Sequence, residues 1–169
     1  MSEGLLLARA VAGLLMAAHG SQKLFGWFGG YGLNGTGQFL ETIGFRPGRT
    51  FAALAALAEI GGGILTVVGL FGPIGPALML SVMIVAAFSV HWQHGVFATN
   101  NGIEVPLLYA TIAAALGLTG FGQYSLDAAL GLASLWTPAV TGMVLAVGII
   151  GGIVNLSLRR VPARSAVVA

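Results

Sequence analysis

Residues 51–71 read FAALAALAEIGGGILTVVGLF, an apolar run holding one ionisable side chain, Glu59. At ~1.5 Å of rise per residue, about twenty such residues cross the ~30 Å hydrocarbon core of a bilayer, so the run predicts a transmembrane helix. Working outward, runs 5–27, 74–92, 105–121 and 138–158 have the same character. Hydrophobic residues make up 57% of the 169-residue chain and charged residues 7%, against roughly 25% charged in an ordinary soluble domain. No charged residue stands between Glu59 and Glu104, between Glu104 and Asp127, or between Asp127 and Arg159. A soluble core cannot hide that much apolar surface, so the expected class is an all-α integral membrane protein.

The order of runs gives the expected architecture. An antiparallel four-helix transmembrane bundle occupies residues 1–130. A fifth C-terminal transmembrane helix with a basic tail occupies 131–169. Pro73 and Pro76 mark a tight turn that makes the second and third helices antiparallel neighbours. Pro106 suits the first turn of the fourth helix, where its missing N–H costs nothing. Small residues four apart, Gly13/Ala17 and Gly148/Gly152, permit close helix approach in lipid. The long first loop, 28–50, predicts a short interfacial helix starting at Thr36 as N-cap and stopped by Gly44 and Pro47. Met16-Ala17-Ala18 loosely resembles a signal-peptide cleavage region, but Glu3 and the apolar sequence beyond Ala18 favour a retained span.

Glu59 has two expected partners. His19 and Lys23 are four apart and share a face of the first helix. In a helical hairpin the interval from His19 to Trp27 equals that from Phe51 to Glu59, about 12 Å on each helix. An ionisable group in hydrocarbon costs at least ~2.5 kcal/mol on insertion scales, so it is retained where it has a partner or a task. The plain alternative is a buried ion pair that fixes helix register. Such pairs seldom stabilise more than an apolar replacement would, which weakens that alternative.

Other polar residues gather at the same end. His91 and His94 close the third helix, Glu104 opens the fourth and Tyr109 lies about one turn deeper. Each also has a bland role: interfacial anchor for the histidines, helix-dipole partner for Glu104. No compact metal spacing is present, so no metal is expected. His19 and His91 are poorly matched in depth for bis-histidine haem. The absence of cysteine excludes a thiol nucleophile, a CxxC redox pair and thiolate-held clusters in this chain. The glycine run GGYGLNG contains no GxGxxG and follows no strand, so it is not a dinucleotide loop.

The net charge of +2 owes much to Arg159, Arg160 and Arg164, read as an anchor for anionic lipid; no nucleic-acid partner is expected. Arg46, Arg49 and this tail share one face and Arg9 the other, which places the N-terminus outside and the C-terminus in the cytoplasm.

The stretches HGSQKLFG, LAEIGGGILTVVGL and HGVF…GIEVPLLYATIAAALGLTGFGQYSLD resemble the DoxX family of small bacterial membrane proteins, over roughly residues 5–130. The resemblance implies a four-helix bundle in the bacterial inner membrane and an association with redox complexes. Some members look like subunits of thiosulfate:quinone oxidoreductase, and others accompany thiol-stress or respiratory complexes. His19, Lys23, Glu59 and Glu104 fall at the family's polar positions. Two departures stand out: the fifth helix, and the turn FGPIGP, where relatives often carry a basic residue that implies a cytoplasmic turn, against the charge count.

Two functions are expected from these readings. In the first, His19, Lys23 and Glu59 are the catalytic cluster and His91, His94, Glu104 and Tyr109 help bind a quinone headgroup. His19 then acts as carbonyl or proton partner, Glu59 as proton acceptor and Lys23 as charge balance. In the second, the chain anchors or assembles a larger membrane complex, touching other subunits through the fifth helix and the loops. A small-solute transporter is disfavoured, because no inverted repeat or interrupted helix pair is visible.

Overall fold

The computed structural model describes residues 2–160, and Arg164 of the basic tail lies outside them. The described residues form helices joined by turns and loops, without strands. They form α1 (Ser2–Phe25), α2 (Gly32–Thr42), α3 (Gly48–Val68), α4 (Ile74–Ala86), α5 (Glu104–Thr119), the single turn α6 (Leu126–Ala129) and α7 (Pro138–Ser157). A wide π turn, Ala87–His91, and a 3-10 turn, Trp92–His94, continue α4.

Four of these segments, α1, α3, Ile74–His94 and α7, are long and apolar enough to cross a membrane. Large side chains such as Leu7, Leu14, Leu57 and Val147 stand more than half exposed on their outer faces. Apolar surface on that scale needs lipid around it. The expected fourth span, 105–121, is α5, which has 16 residues, or about 24 Å, shorter than the hydrocarbon core. It ends where Gly120 turns left-handed at φ 73°.

The pair α1–α3 is the spine of the molecule. A Cβ on Gly63 would lie 2.5 Å from the Gly13 carbonyl, and one on Gly20 would lie 2.7 Å from the Ala56 carbonyl. The two backbones therefore touch, and in lipid that contact replaces the hydrophobic effect as the source of adhesion. Met16 and Met79 are fully buried beside it, with Ala113, Leu116 and Leu145 completing the core. The helix α7 lies against α4 rather than in the spine: a Cβ on Gly148 would lie 2.5 Å from the Ala77 carbonyl. Thr137 caps α7, accepting from the Val140 N–H at 3.4 Å, with Pro138 in the first turn.

The first loop departs from its sequence reading. The surface helix starts at Gly32, not at Thr36. Thr36 sits inside it, and its hydroxyl donates at 3.5 Å to the Lys23 carbonyl. The glycines that look like a flexible linker are used for packing, since a Cβ on Gly48 would collide with the Gly37 carbonyl. That fit lets α2 lie across the ends of α1 and α3. The residues that follow α7 dock on the same end, with Arg159 Nε donating to the Ile43 carbonyl at 2.6 Å and the Arg160 N–H to the Gly44 carbonyl at 2.8 Å.

Candidate functional site

The site grows out of the α1–α3 contact. Glu59 is one turn from Ala56 and from Gly63 on α3, so it shares their face toward α1. It is 2% exposed. Lys23 lies about one turn nearer the membrane boundary than His19. In a helix every Cα–Cβ bond tilts toward the N-terminus. The helices are antiparallel, so Lys23 leans inward and Glu59 leans outward, toward each other. Lys23 Nζ donates to both carboxylate oxygens, at 2.8 Å to Oε1 and 2.6 Å to Oε2. The lysine side chain remains 31% exposed, so the pair joins the interior to the surface.

His19 stands beside this pair rather than in it. Gln22 settles its hydrogen bonding: the Gln22 Nε2 amide donates to the Phe28 carbonyl at 3.1 Å, which turns Oε1 toward the imidazole. His19 Nδ1–H then donates to that oxygen at 3.1 Å, so that in the neutral ring the lone pair falls on Nε2. The ring meets Tyr109 edge-on, centroids 5.8 Å apart and planes at 85°. Both His19 and Tyr109 lie within electrostatic range of Glu59. Sequence alone expects a direct His19–Lys23–Glu59 triad; the structure gives a Lys23–Glu59 pair flanked by His19, Gln22 and Tyr109.

A pocket of about 530 Å³ opens next to the pair, between the end of α1 and α2. Gln22, Lys23, Tyr31, Thr36 and Phe39 line it. Gln22 and Tyr31 are site residues that the sequence reading passed over. Gln22 had a legible signal, standing three residues after His19 and so on the same helix face.

The remaining expected residues are occupied elsewhere. His91 Nδ1–H donates to the Asn101 carbonyl at 2.7 Å. His94 is exposed, with Nε2 3.4 Å from the Gln93 amide. Glu104 Oε2 accepts from the Ala98 N–H at 2.7 Å. These contacts hold the loop between α4 and α5, and none of them reaches Glu59.

A second polar cluster, unforeseen from sequence, lies at the opposite end. Arg9 is 1% exposed. Its Nη2 donates to the Tyr124 carbonyl, and the guanidinium sits 5.9 Å from the Phe121 ring centroid. Asp127 is 3% exposed. It accepts from the Phe71 N–H at 2.9 Å and the Gly72 N–H at 2.6 Å, clamping the α3–α4 turn. For Asp127 the sequence offered its isolation between two long uncharged stretches; for Arg9 it offered no such signal.

The fold and this buried pair define a polytopic α-helical membrane protein with an ionisable centre near one membrane face. The family model described as DoxX matches residues 4–92, more than half of the chain, and the chain belongs to that family. The matched segment carries His19, Lys23 and Glu59; Glu104 and Tyr109 lie beyond it. No curated protein and no solved structure matches the chain.

Proposed function

We propose that this DoxX protein is the membrane subunit of a redox complex and holds a quinone headgroup in the pocket beside Lys23 and Glu59. One observation carries the reading: the Lys23–Glu59 pair has a carboxylate sealed from solvent and an ammonium reaching a pocket. Quinone carbonyls need hydrogen-bond donors, and Lys23 and Gln22 both line the pocket. Quinol oxidation needs proton acceptors, which Glu59 and the neutral His19 nitrogen supply. Electrons pass to or from a partner subunit. In this reading Lys23 meets the ring directly, His19 and Glu59 beside it take up its protons, and His91, His94 and Glu104 hold the loop between α4 and α5. The test is extraction of quinone from protein purified out of native membranes. Wild type retains it and Glu59→Gln loses it; equal quinone in both rejects the site.

The membrane is the bacterial cytoplasmic membrane, with the N-terminus outside and the C-terminus inside. Burial of Arg9 favours this orientation, because the basic residue opposing the positive-inside count is packed into the bundle rather than displayed at the surface.

The outward face of α7 favours a second reading, an anchoring or assembly subunit. Met143, Val147, Ile150 and Val154 are all more than half exposed there. A partner enzyme that co-purifies with His19→Ala but not with a chain lacking α7 supports it. Quinol oxidation by the isolated chain rejects it.

A further inference from the structure

A second opening, on the lipid side of α1, reaches Tyr109 of the site. Between α1 and α5 runs an apolar groove of about 460 Å³, lined by Gly4, Ala8, Val11 and Leu15 of α1 and by Leu108 and Tyr109 of α5. Gly4 to Leu15 spans about 16 Å along the helix. Direct contact between α1 and α5 is sparse, so the groove stays open. Val11, Leu15 and Leu108 are half exposed or more along it.

The groove and the pocket lie along one face of α1. Gly4, Ala8, Val11, Leu15, His19 and Gln22 recur every three or four residues and so form one stripe on α1. The first four line the groove, the last lines the pocket, and His19 stands between them. Tyr109 belongs to the groove and packs its ring edge-on against His19. His19 in turn donates to Gln22. An apolar trough thus leads along α1 to the Tyr109–His19–Gln22 contacts, and Gln22 lines the polar pocket.

Resting on the reading above, we propose that the α1–α5 groove holds the polyprenyl tail of the same quinone, with His19 and Tyr109 at the junction of tail and ring. Charge favours this occupant over a phospholipid. Lys23 is already neutralised by Glu59 at 2.6 Å, so an anionic headgroup gains little there, whereas a neutral ring with two carbonyls keeps the pair intact. A single chain joined to an uncharged polar head matches the sequence of environments along the stripe.

The full chain in nanodiscs tests this with two probes, a quinone carrying several isoprene units and the same ring without a tail. Gly4→Phe and Ala8→Phe fill the groove. A Cβ at Gly4 meets nothing within 4 Å, so the Gly4 variant is expected to fold, and thermal melting checks both. The tailed quinone binds wild type at least tenfold more tightly than the tail-less ring. Each variant weakens the tailed quinone about tenfold and the tail-less ring less than twofold. Equal affinity of wild type for the two probes, or variants that hold the tailed quinone unchanged, overturns the tail assignment and leaves the headgroup site standing. Variants that shed co-purifying phospholipid yet keep the tailed quinone assign the groove to bulk lipid and overturn it as well. Failure of wild type to bind either probe overturns the headgroup reading, and the tail with it.

Discussion

Lys23 and Glu59 approach from antiparallel helices, one from near the membrane boundary and one from about a turn deeper, so that Nζ sits 2.6 Å from Oε2 and 2.8 Å from Oε1. The glycine contacts of α1 and α3 set the spacing of the helices, and the N-terminal lean of each side chain closes the remaining gap. Packing and charge therefore depend on the same register.

Removing one member of the pair leaves the other without a partner. Lys23→Met strands a carboxylate that is 2% exposed, and loss of one partner of a buried pair costs about 3–5 kcal/mol. Thermal melting in detergent is expected to fall clearly for Lys23→Met. The double variant Lys23→Met/Glu59→Leu recovers most of the loss, because two apolar side chains need no partner. A double variant no better than the single one contradicts the pairing.

Gly63→Leu places a Cβ 2.5 Å from the Gly13 carbonyl and forces α1 away from α3. Folded yield should collapse. Gly148→Leu makes a similar clash with the Ala77 carbonyl but separates only α7 from α4. It should lower the melting temperature and leave quinone binding intact. Loss of binding in Gly148→Leu shows that α7 supports the site directly.

Asp127→Ala removes the acceptor for the Phe71 and Gly72 N–H groups at the far end. Unpaired buried donors cost about 1–3 kcal/mol, so the protein should melt earlier. Ligand affinity should stay within twofold of wild type, since Asp127 clamps the turn at the end of the bundle away from Glu59. A large affinity change couples the two ends and contradicts this separation.

Gln22→Leu removes the acceptor that sets the His19 ring. Nitrogen NMR of the imidazole should show a single Nδ1–H form in wild type and its loss in the variant. An unchanged histidine spectrum contradicts the role given to Gln22.

Topology is testable because the chain has no native cysteine. A cysteine introduced at Ser157 should react with an impermeant maleimide only after the cells are opened. Labelling in intact cells reverses the orientation.

The charges made the spine and the core of the site legible in the sequence. In a chain with so few, Glu59, His19 and Lys23 each stand out, and counting residues from the helix ends places His19 and Glu59 at similar depth. Lys23 alone reaches the carboxylate because it points toward it, and direction depends on the lean of each helix rather than on depth. The start of α2 was misread at Thr36, since glycines that permit close packing and glycines that permit flexibility look alike in sequence. Arg9 and Asp127 carry no local sign of their partners. Their partners lie far along the chain, at Tyr124 for Arg9 and at Phe71 and Gly72 for Asp127, and no local pattern announces contacts of that range.

Equilibrium binding of a tailed quinone to the reconstituted chain tests the central claim most directly, with wild type, Glu59→Gln and Asp127→Ala measured side by side. The account predicts binding by wild type and Asp127→Ala alike, and at least tenfold weaker binding by Glu59→Gln. Equal affinity in all three contradicts it.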